Sequence, residues 1–388
     1  MRKRVDIEKD EEQLLAPYAM KSKDSRPRDY DEPSHEYRTC YQRDRDRVVH
    51  CEHFRKLEYK TQVFIIFEGD YYRTRLTHTL EVAQIARTIG RSLRLNEDLI
   101  EAIALAHDLG HPPFGHAGEE ALNQIMSGGY SGTFNHNVRS FEIVTKYEKR
   151  YPNFDGLNLT PEVLVGILKH QSEYDLPGTC KKYRDINPSL EAQVVDFADS
   201  LAYLNHDIDD GLKAKCLFIE DLKDSALWQK AIDNIKNTIN INDLDMLRYQ
   251  VVKQLIDMQI KNFLAATYQH LKDLDFKTSQ DVQNFHEQVI CFSPEMKKER
   301  DDLQELLNQK LYHHYRVVRM TSKAHRIIND LFKVYLDEPN QLPPSIYPRE
   351  MAHDLKEKYE TICNHIASMT DRFALDEHKK LFNPYTIV

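Results

Sequence analysis

The sequence predicts an all-α protein, and three observations support that fold class. Glycine and proline are scarce, with 12 and 15 among 388 residues, whereas an all-β chain of this length needs many more turn residues. Charged residues make up 30% of the chain and alternate with apolar residues at helical spacing. Hydrophobic residues make up 41%, so the chain can bury a sizeable core, as one large domain or two smaller ones.

The first part of the chain divides into a lead-in and three helical stretches. Residues 1–35 are polar and rich in proline, and they are expected to be extended or poorly ordered. Residues 36–67 predict a helix followed by the short apolar segment VFIIF. Residues 74–95 place apolar side chains on one face of an amphipathic helix. The next helix begins after Asn96, which can cap it, and stops at a Gly-His-Pro-Pro sequence.

Further helices are predicted over the remainder of the chain. One is expected from about Asn137 to Arg150, and Thr160 caps another that begins at Pro161. The stretch SLEAQVVDFADSLAYLNHDIDDG predicts a long helix that Gly211 closes. Because no strong linker is visible, the simplest division has three parts. These are a polar lead-in over 1–35, a helical core over 36–215 and a C-terminal helical region over 216–388, which would complete the pocket and an oligomer interface.

Charge, cysteine pattern and hydropathy exclude several classes of protein. A formal net charge of −9 argues against a general nucleic-acid coat protein, although it is compatible with a local basic pocket. The six cysteines lack C-x-x-C spacing, which favours reduced thiols over a zinc ribbon or a disulfide framework. The first residues lack the apolar core of a signal peptide, and VFIIF is too short to span a bilayer. We therefore expect a cytoplasmic protein without a membrane segment.

Two histidines and two aspartates are candidate metal ligands. His107 and Asp108 are adjacent at the C-terminal end of a predicted helix, where both can ligate one cation. His78 lies in an apolar helical stripe, in which a satisfied core histidine is the commoner outcome, but Asp199 is a predicted buried acid that needs a partner or a metal. Such a set suits an octahedral ion with open positions for water and substrate. We expect one divalent ion per subunit, Mg²⁺ or Mn²⁺ with Fe²⁺ as a third candidate, which would activate water.

The order and context of these residues resemble a known family. The order H…HD…D matches the signature of HD-domain metal-dependent phosphohydrolases. Six blocks further resemble the deoxyguanosinetriphosphate triphosphohydrolase family: YQRDRDRVVHCEHFRKLEYKTQVF, TRLTHTLEVAQIAR, ALAHDLGHPPFGHAGE, FNHN, LTPEVLVGILKH and DFADSLAYLNHDIDDG. This likeness is dense over about residues 36–215 and weaker in YRVVRMTSKAHRIINDLF. It implies an HD-domain helical core and cleavage of a deoxynucleoside triphosphate (dNTP) to the deoxynucleoside and tripolyphosphate, with water attacking the α-phosphorus.

The resemblance also implies an acid-base group beside the α-phosphate. It would consist of His111, His116, Glu119 and His136. His116 and Glu119 are three residues apart, so they share a helical face and the carboxylate can fix the tautomer of the imidazole. The alternative for each histidine taken alone is a helix cap or a backbone contact.

Sugar contacts are implied on the last helix of the predicted core. Asp199, Tyr203 and Asp207 are four residues apart, so one helix face can hold metal and sugar together. In the family, the tyrosine packs against the deoxyribose, and the second aspartate binds the 3′-hydroxyl with the glutamine that corresponds to Gln62. A ribonucleotide would meet steric crowding and leave a hydroxyl unpaired. An ordinary core aromatic is the alternative for Tyr203.

Basic residues are expected to bind the triphosphate, because a negatively charged chain needs a local positive cluster for it. The candidates are Arg75, three residues before a predicted metal ligand, and Lys169 in GILKH. Arg139 stands where the resemblance leads us to expect glutamine, which concerns base recognition or loop geometry rather than the metal chemistry. Arg43, Arg45 and Arg47 are open between phosphate or effector contact and a salt-bridged surface. Tyr315, Arg316 and Arg319 are open between the same pocket and a subunit interface.

Three functions are compatible with these residues. The leading one is a metal-dependent triphosphohydrolase that acts on dGTP or another dNTP in nucleotide-pool control. A second is another HD phosphohydrolase acting on nucleoside monophosphates, cyclic nucleotides or alarmones, which the trio Gln62, Tyr203 and Asp207 disfavours. A third is a non-catalytic nucleotide sensor or single-strand DNA-binding oligomer, which the complete ligand set disfavours. The resemblance further implies a homo-oligomer, with a dNTP or single-stranded DNA as candidate effector.

Overall fold

The part of the chain that the computed structural model describes comprises residues 1–62, 72–130, 132–170, 182–183, 185–236, 243–348 and 354–387. Over these residues the structure contains seventeen α-helices and no β-strand, which confirms the all-α fold class. The predicted VFIIF segment lies outside them. No helix within these ranges is long and apolar enough to cross a membrane.

The helices vary from one turn to eight turns in length. The first nine are α1 (Arg4–Leu14), α2 (Cys40–His50), α3 (Glu52–Lys56), α4 (Arg75–Ser92), α5 (Glu97–Ala106), α6 (Gly115–Tyr130), α7 (His136–Glu142), α8 (Pro161–Leu168) and α9 (Leu190–Lys213). The others are α10 (Ile219–Leu222), α11 (Ala226–Lys236), α12 (Leu244–Leu274), α13 (Ser279–Asn284), α14 (Pro294–Leu307), α15 (Tyr315–Asp337), α16 (Leu355–Ala367) and α17 (Asp371–Phe382).

Local sequence explains the helix boundaries nearest the candidate site. The side chain of Asn96 accepts a hydrogen bond from the first turn of α5, as predicted. Asn135 caps α7, which is shorter than expected because it passes into a π-helical turn over Ile143–Tyr147. Thr160 directly precedes α8, but its hydroxyl donates to Asp44 instead of capping the helix.

The lead-in over residues 1–35, which the sequence predicts to be extended or poorly ordered, has more structure than expected. It contains α1 and packs against the main core through Ala16 and Met20. Glu11, near the end of α1, is buried and accepts a hydrogen bond from the backbone N–H of Ser22 at 2.7 Å. A few apolar residues among many charges are sufficient to anchor the segment, and average composition conceals them.

Gly211 lies inside α9 rather than at its end, so the predicted helix stop is wrong. The helix continues to Lys213, and the left-handed residue Lys215 (φ 55°) follows shortly after it. A Cβ atom at position 211 would lie 2.9 Å from Cδ1 of Leu311. The glycine therefore permits close packing of α9 against the C-terminal region.

Three hydrophobic clusters hold the helices in place. The largest joins α4, α5, α8 and the first half of α9. The second packs the end of α9 against α11, α12 and α14, and the third joins α6 to α15, α16 and α17. The helices that carry the predicted site residues are therefore each fixed by buried apolar contacts. The division of the chain into three parts stays a prediction.

Candidate active site

Helices from distant parts of the sequence bring the predicted metal ligands together. His78 lies in the first turn of α4, and Asp199 lies near the middle of α9, which packs against α4. His107 and Asp108 directly follow α5. Because α5 is buried along most of its length, the residues that follow it are held inside the protein, where His107 is 1% exposed and Asp108 4%.

Three of the four predicted metal ligands converge on one point, and the fourth, Asp108, lies beside His107. Nε2 of His78 lies 2.8 Å from Oδ1 of Asp199, and Nε2 of His107 lies 3.7 Å from the same oxygen. Oδ1 of Asp108 lies 3.5 Å from Nε2 of His107. One ligand atom from each of His78, His107 and Asp199 lies within 4.8 Å of the others. Donors at these separations can share one cation with small side-chain adjustments.

The environment of Nε2 of His107 indicates whether these residues fit a metal ion. This atom is buried and makes no hydrogen bond within the described part of the chain. Nδ1 of the same ring lies 2.6 Å from the carbonyl oxygen of Ala104, so Nδ1 carries the proton and Nε2 presents a lone pair. A buried lone pair between two carboxylates is unfavourable without a cation. The donor set therefore fits a divalent ion that accepts both nitrogen and oxygen ligands.

Neighbouring groups keep both aspartates ionised. Burial alone would raise the pKa of Asp108, but Arg75, whose Nη1 lies 3.0 Å from Oδ2, and His107 hold that pKa well below its usual range. Burial likewise acts to raise the pKa of Asp199, but its contacts with His107, His170 and His78 outweigh burial and lower that pKa well below its usual range. Both side chains are therefore anionic, as predicted metal ligands should be.

His170, which was not among the predicted site residues, contacts the oxygen of Asp199 that faces away from His78 and His107. Its Nε2 lies 3.1 Å from Oδ2 of Asp199, and its Nδ1 forms an ion pair with Asp196. Burial disfavours the charged ring, but the two carboxylates raise the pKa of His170 to about 10. The sequence offered one indication of this role: His170 follows the predicted phosphate ligand Lys169, just after the end of the buried helix α8.

His206 is a second histidine beside the cluster, and it contacts the predicted ligand His78. Its Nδ1 lies 3.3 Å from Nδ1 of His78, and its Nε2 lies 2.7 Å from Oε2 of Glu81. Burial lowers the pKa of His206 to about 4, so the ring is neutral. Contacts of this kind orient metal ligands and set their basicity.

The predicted acid-base residues form a second cluster that adjoins the metal ligands. Nδ1 of His136 lies 2.8 Å from Oε1 of Glu119, and the rings of His136 and His111 stack with centroids 3.8 Å apart. Nδ1 of His116 lies 3.6 Å from Oε2 of Glu119. Nε2 of His111 lies 3.2 Å from Oδ1 of Asp108, which connects the two clusters.

The members of this second cluster differ in their access to solvent. The side chain of His116 is 56% exposed, whereas that of His111 is 2% exposed. Burial and Arg75 lower the pKa of His111 well below its usual range, so its imidazole is neutral. Burial would raise the pKa of Glu119, but His136 and His116 hold it below its usual range. His116 is therefore the imidazole best placed to exchange protons with water.

The turn between the two clusters depends on close backbone packing. A Cβ atom at Gly110 would lie 2.2 Å from the carbonyl oxygen of His136 and 2.3 Å from the backbone nitrogen of Ser140. The hydroxyl of Ser140 accepts a hydrogen bond from Gly110 N–H at 2.8 Å and donates one to the carbonyl of His107 at 2.7 Å. Glycine at this position lets the turn lock onto α7.

The predicted sugar contacts present unpaired acceptors. The ring of Tyr203 lies 5.8 Å from that of His116. Asp207 is fully buried; its Oδ2 accepts a hydrogen bond from the hydroxyl of Tyr312, and its Oδ1 has no partner among the residues the structure describes. Gln62 is 4% exposed, and its Oε1 also lacks a partner there. Buried acceptors without donors suit a ligand that brings hydroxyl or amide groups.

Tyr312, which sequence reasoning missed, contacts the predicted sugar ligand Asp207. It ends a π-helical turn over Asn308–Tyr312 and is the first residue of YHHYRVVRM, the block in which Tyr315, Arg316 and Arg319 were considered. Tyr315 is 54% exposed, and the guanidinium of Arg319 lies 5.2 Å from its ring. Arg316 donates to the carbonyl of Ala214 at 3.3 Å.

The two predicted phosphate ligands occupy different positions. Arg75 is 1% exposed and pairs with Asp108 through Nη1, whereas its Nε and Nη2 have no hydrogen-bond partner within the described ranges. These N–H groups are available to phosphate oxygens. Lys169 is partly buried at the C-terminal end of α8, and burial lowers its pKa.

The arginines of α2 pair with acids of the same chain. Arg47 donates to both carboxylate oxygens of Glu32, at 2.7 and 2.8 Å, and Arg43 lies 3.5 Å from the same side chain. Arg45 lies 3.0 Å from Asp98. These contacts match the salt-bridged arrangement that was one alternative for them.

Arg139 anchors the C-terminal region instead of facing the cleft. It donates to Asn364 at 2.8 Å and to Ser368 at 3.0 Å, and its guanidinium lies 4.2 Å from the ring of Tyr147. The unexpected arginine therefore has a packing explanation.

Comparison with known proteins agrees with this architecture. The family model described as HD domain matches residues 75–204, and the one described as Phosphohydrolase-associated domain matches residues 290–380. The chain is 46% identical to a deoxyguanosinetriphosphate triphosphohydrolase-like protein of Geobacter metallireducens and 47% identical to that of Geobacter sulfurreducens, over 96% of both chains in each case. It is 46% identical to the protein of that name from Ralstonia nicotianae, over 95% of this chain and 94% of the relative. The chain therefore belongs to the deoxyguanosinetriphosphate triphosphohydrolase-like family of HD-domain phosphohydrolases.

Proposed function

We propose that the chain hydrolyses dNTPs to deoxynucleoside and tripolyphosphate with one divalent ion per subunit. The observation that carries the proposal is the arrangement along α9, where Asp199, Tyr203 and Asp207 occupy successive turns of one helix. Eight residues of helix span about 12 Å. This arrangement supports a substrate whose α-phosphate and sugar are bound at the same time, and it disfavours alarmones and cyclic nucleotides.

The chain's own residues would divide the chemistry between them. His78, His107, Asp108 and Asp199 would hold the ion, which when bound polarises a phosphoryl oxygen and lowers the pKa of water. Arg75 directs its unpaired N–H groups to the phosphate oxygens. His116, held by Glu119, serves in proton transfer at the 5′-oxygen that leaves with the deoxynucleoside.

The same pocket provides a basis for preferring deoxyribose. Asp207 and Gln62 offer acceptors for the 3′-hydroxyl, and the ring of Tyr203 occupies the space beside the sugar. An added 2′-hydroxyl would be crowded by the ring and left without a partner. We expect dNTPs to be strongly preferred over ribonucleoside triphosphates.

Product analysis tests the proposal. The purified chain would be incubated with Mn²⁺ or Mg²⁺ and each dNTP, alone and in pairs, and tripolyphosphate and deoxynucleoside would be quantified. We expect equal amounts of the two products, and pairs of dNTPs would reveal an activating nucleotide. Release of only orthophosphate or pyrophosphate would refute the proposal. Turnover of monophosphates, cyclic nucleotides or alarmones with none of dNTPs would favour a different HD phosphohydrolase.

A variant separates catalysis from binding. His116→Ala is expected to abolish tripolyphosphate release while dNTP binding and bound metal are retained, because this exposed side chain contributes little to the core. A non-catalytic nucleotide or single-strand DNA sensor would show no turnover in the parent chain either. We further propose a cytoplasmic homo-oligomer, whose order light scattering would measure.

A further inference from the structure

A carboxylate from the C-terminal region lies beneath the turn of the candidate site. Asp371 is the first residue of α17 and is 1% exposed. Its Oδ2 accepts hydrogen bonds from the backbone N–H of Thr61, at 2.9 Å, and from the hydroxyl of the same residue. Its Oδ1 accepts one from the backbone N–H of Phe114 at 2.9 Å. One buried side chain thus joins two separate segments of the main chain.

Each of these segments leads directly to predicted site residues. Thr61 precedes Gln62, the candidate sugar ligand. Phe114 precedes α6, which begins at Gly115 and carries His116 in its first turn. Movement of either backbone would therefore move a group that faces the cleft.

The turn at Phe114 needs external support. Its φ of 67° lies in the left-handed region, which is unfavourable for a residue with a bulky side chain. Such a conformation persists only where neighbouring contacts determine it. Lys60 provides a second contact, because its buried Nζ donates to the carbonyl of His111 and, at 3.4 Å, to that of Ala367.

We infer that Asp371 is a positioning residue: by holding Phe114 in the left-handed conformation and Thr61 beside it, it keeps His116 and Gln62 in place relative to the metal ligands. The inference rests on the proposed function of those two residues. It makes the start of α17, which lies within the phosphohydrolase-associated match, part of the site without any contact to substrate.

The chain contains a matched control for this contact. Asp44 on α2 is also fully buried, and its Oδ2 accepts hydrogen bonds from the backbone N–H and the hydroxyl of Thr160, at 2.8 and 2.6 Å. The two aspartates thus make the same kind of bond to a threonine, but Thr160 leads into α8 and not into the turn at Phe114. Asp44 also pairs with Arg28, so Asp44→Asn should lose at least as much stability as Asp371→Asn.

The experiment compares Asp371→Asn with Asp44→Asn. The amide keeps the size of the side chain but replaces one acceptor with a donor. We expect Asp371→Asn to lower kcat for tripolyphosphate release by about 10- to 100-fold at a temperature where it is fully folded, since small displacements of catalytic groups have effects of this size. Amide hydrogen exchange over residues 111–116 should also become faster. Asp44→Asn should lower Tm, with kcat within about twofold of the parent and unchanged exchange over that segment.

Equal kcat values for the two variants, together with unchanged exchange over residues 111–116, would overturn the inference and leave Asp371 a purely structural contact. If Asp371→Asn does not fold, Thr61→Val removes one of the three hydrogen bonds, and a parent-like kcat and exchange pattern in that variant would also overturn it. If the parent chain releases no tripolyphosphate, the proposed function fails, and hydrogen exchange alone then decides whether Asp371 holds the turn.

Discussion

Replacement of Tyr312 by phenylalanine removes one hydroxyl from the predicted sugar pocket and leaves the aromatic ring. That hydroxyl donates to Oδ2 of Asp207, which is fully buried and whose other oxygen has no partner within the described part of the chain. The variant would leave the carboxyl group without this donor. Its ability to accept the 3′-hydroxyl of a nucleotide should therefore fall.

The size of the effect follows from the hydrogen bond that is lost. Because burial favours the uncharged form of Asp207, the bond from Tyr312 joins neutral groups and contributes about 0.5 to 1.5 kcal/mol, which corresponds to a roughly 2- to 13-fold increase in KM. Burial raises the pKa of Asp207 well above its usual range, and the bond from Tyr312 acts to lower it. Without the bond the pKa of Asp207 rises further, so the loss of affinity on the acid side should begin at a higher pH.

Initial rates of tripolyphosphate release, measured against dNTP concentration over a series of pH values, test this reasoning. Tyr315→Phe is the control, because it removes the same hydroxyl from a side chain that is 54% exposed and lies three residues after Tyr312. A KM and pH profile of Tyr312→Phe that match those of the control would show that Asp207 does not receive the substrate's hydroxyl.

Three further perturbations have defined outcomes. His170→Asn should weaken metal affinity by about 10- to 100-fold in equilibrium dialysis, because it removes support from Asp199, and unchanged affinity would contradict that role. Gly110→Ala should destabilise the chain by roughly 1 to 3 kcal/mol or more in denaturant titrations, since its Cβ meets backbone atoms at 2.2 and 2.3 Å, whereas Gly128→Ala, with no atom within 4 Å, should be neutral or slightly stabilising. Burial would raise the pKa of Glu148, but His53 and backbone N–H groups lower it from 4.5 to about 2. The stability that this carboxylate provides above pH 4.5 should be lost as pH falls toward 2, by about 1 to 3 kcal/mol after solvent screening, and Glu148→Gln should lack this component.

The sequence predicted the residues that are close to one another in the chain or that share a helix. His107 and Asp108 are adjacent, and Asp199, Tyr203 and Asp207 follow helical spacing, so local geometry relates them before any tertiary contact is known. The fold class followed from composition and periodicity for the same reason.

Contacts between distant segments could not be predicted in this way. His170 lies 29 positions from Asp199, and Tyr312 lies 105 positions from Asp207. Such pairs depend on how α8 and the region before α15 pack onto α9, which no local pattern specifies. At Gly211 a local pattern gave the wrong prediction. The glycine was expected to end α9, but it lies inside the helix and allows close packing against Leu311.

The buried contacts of the lead-in affect how far the chain can be shortened. Glu191, in the first turn of α9, accepts hydrogen bonds from the backbone N–H groups of Met20 at 2.9 Å and Asn96 at 3.2 Å. The amide of Asn96 in turn donates to Glu11 at 3.2 Å. Removal of the first twenty-odd residues would therefore leave a buried acid short of a donor at the start of α9 and weaken the cap of α5, the helix that ends at His107. The smallest stably folded unit is consequently larger than the segment that contains every predicted catalytic side chain.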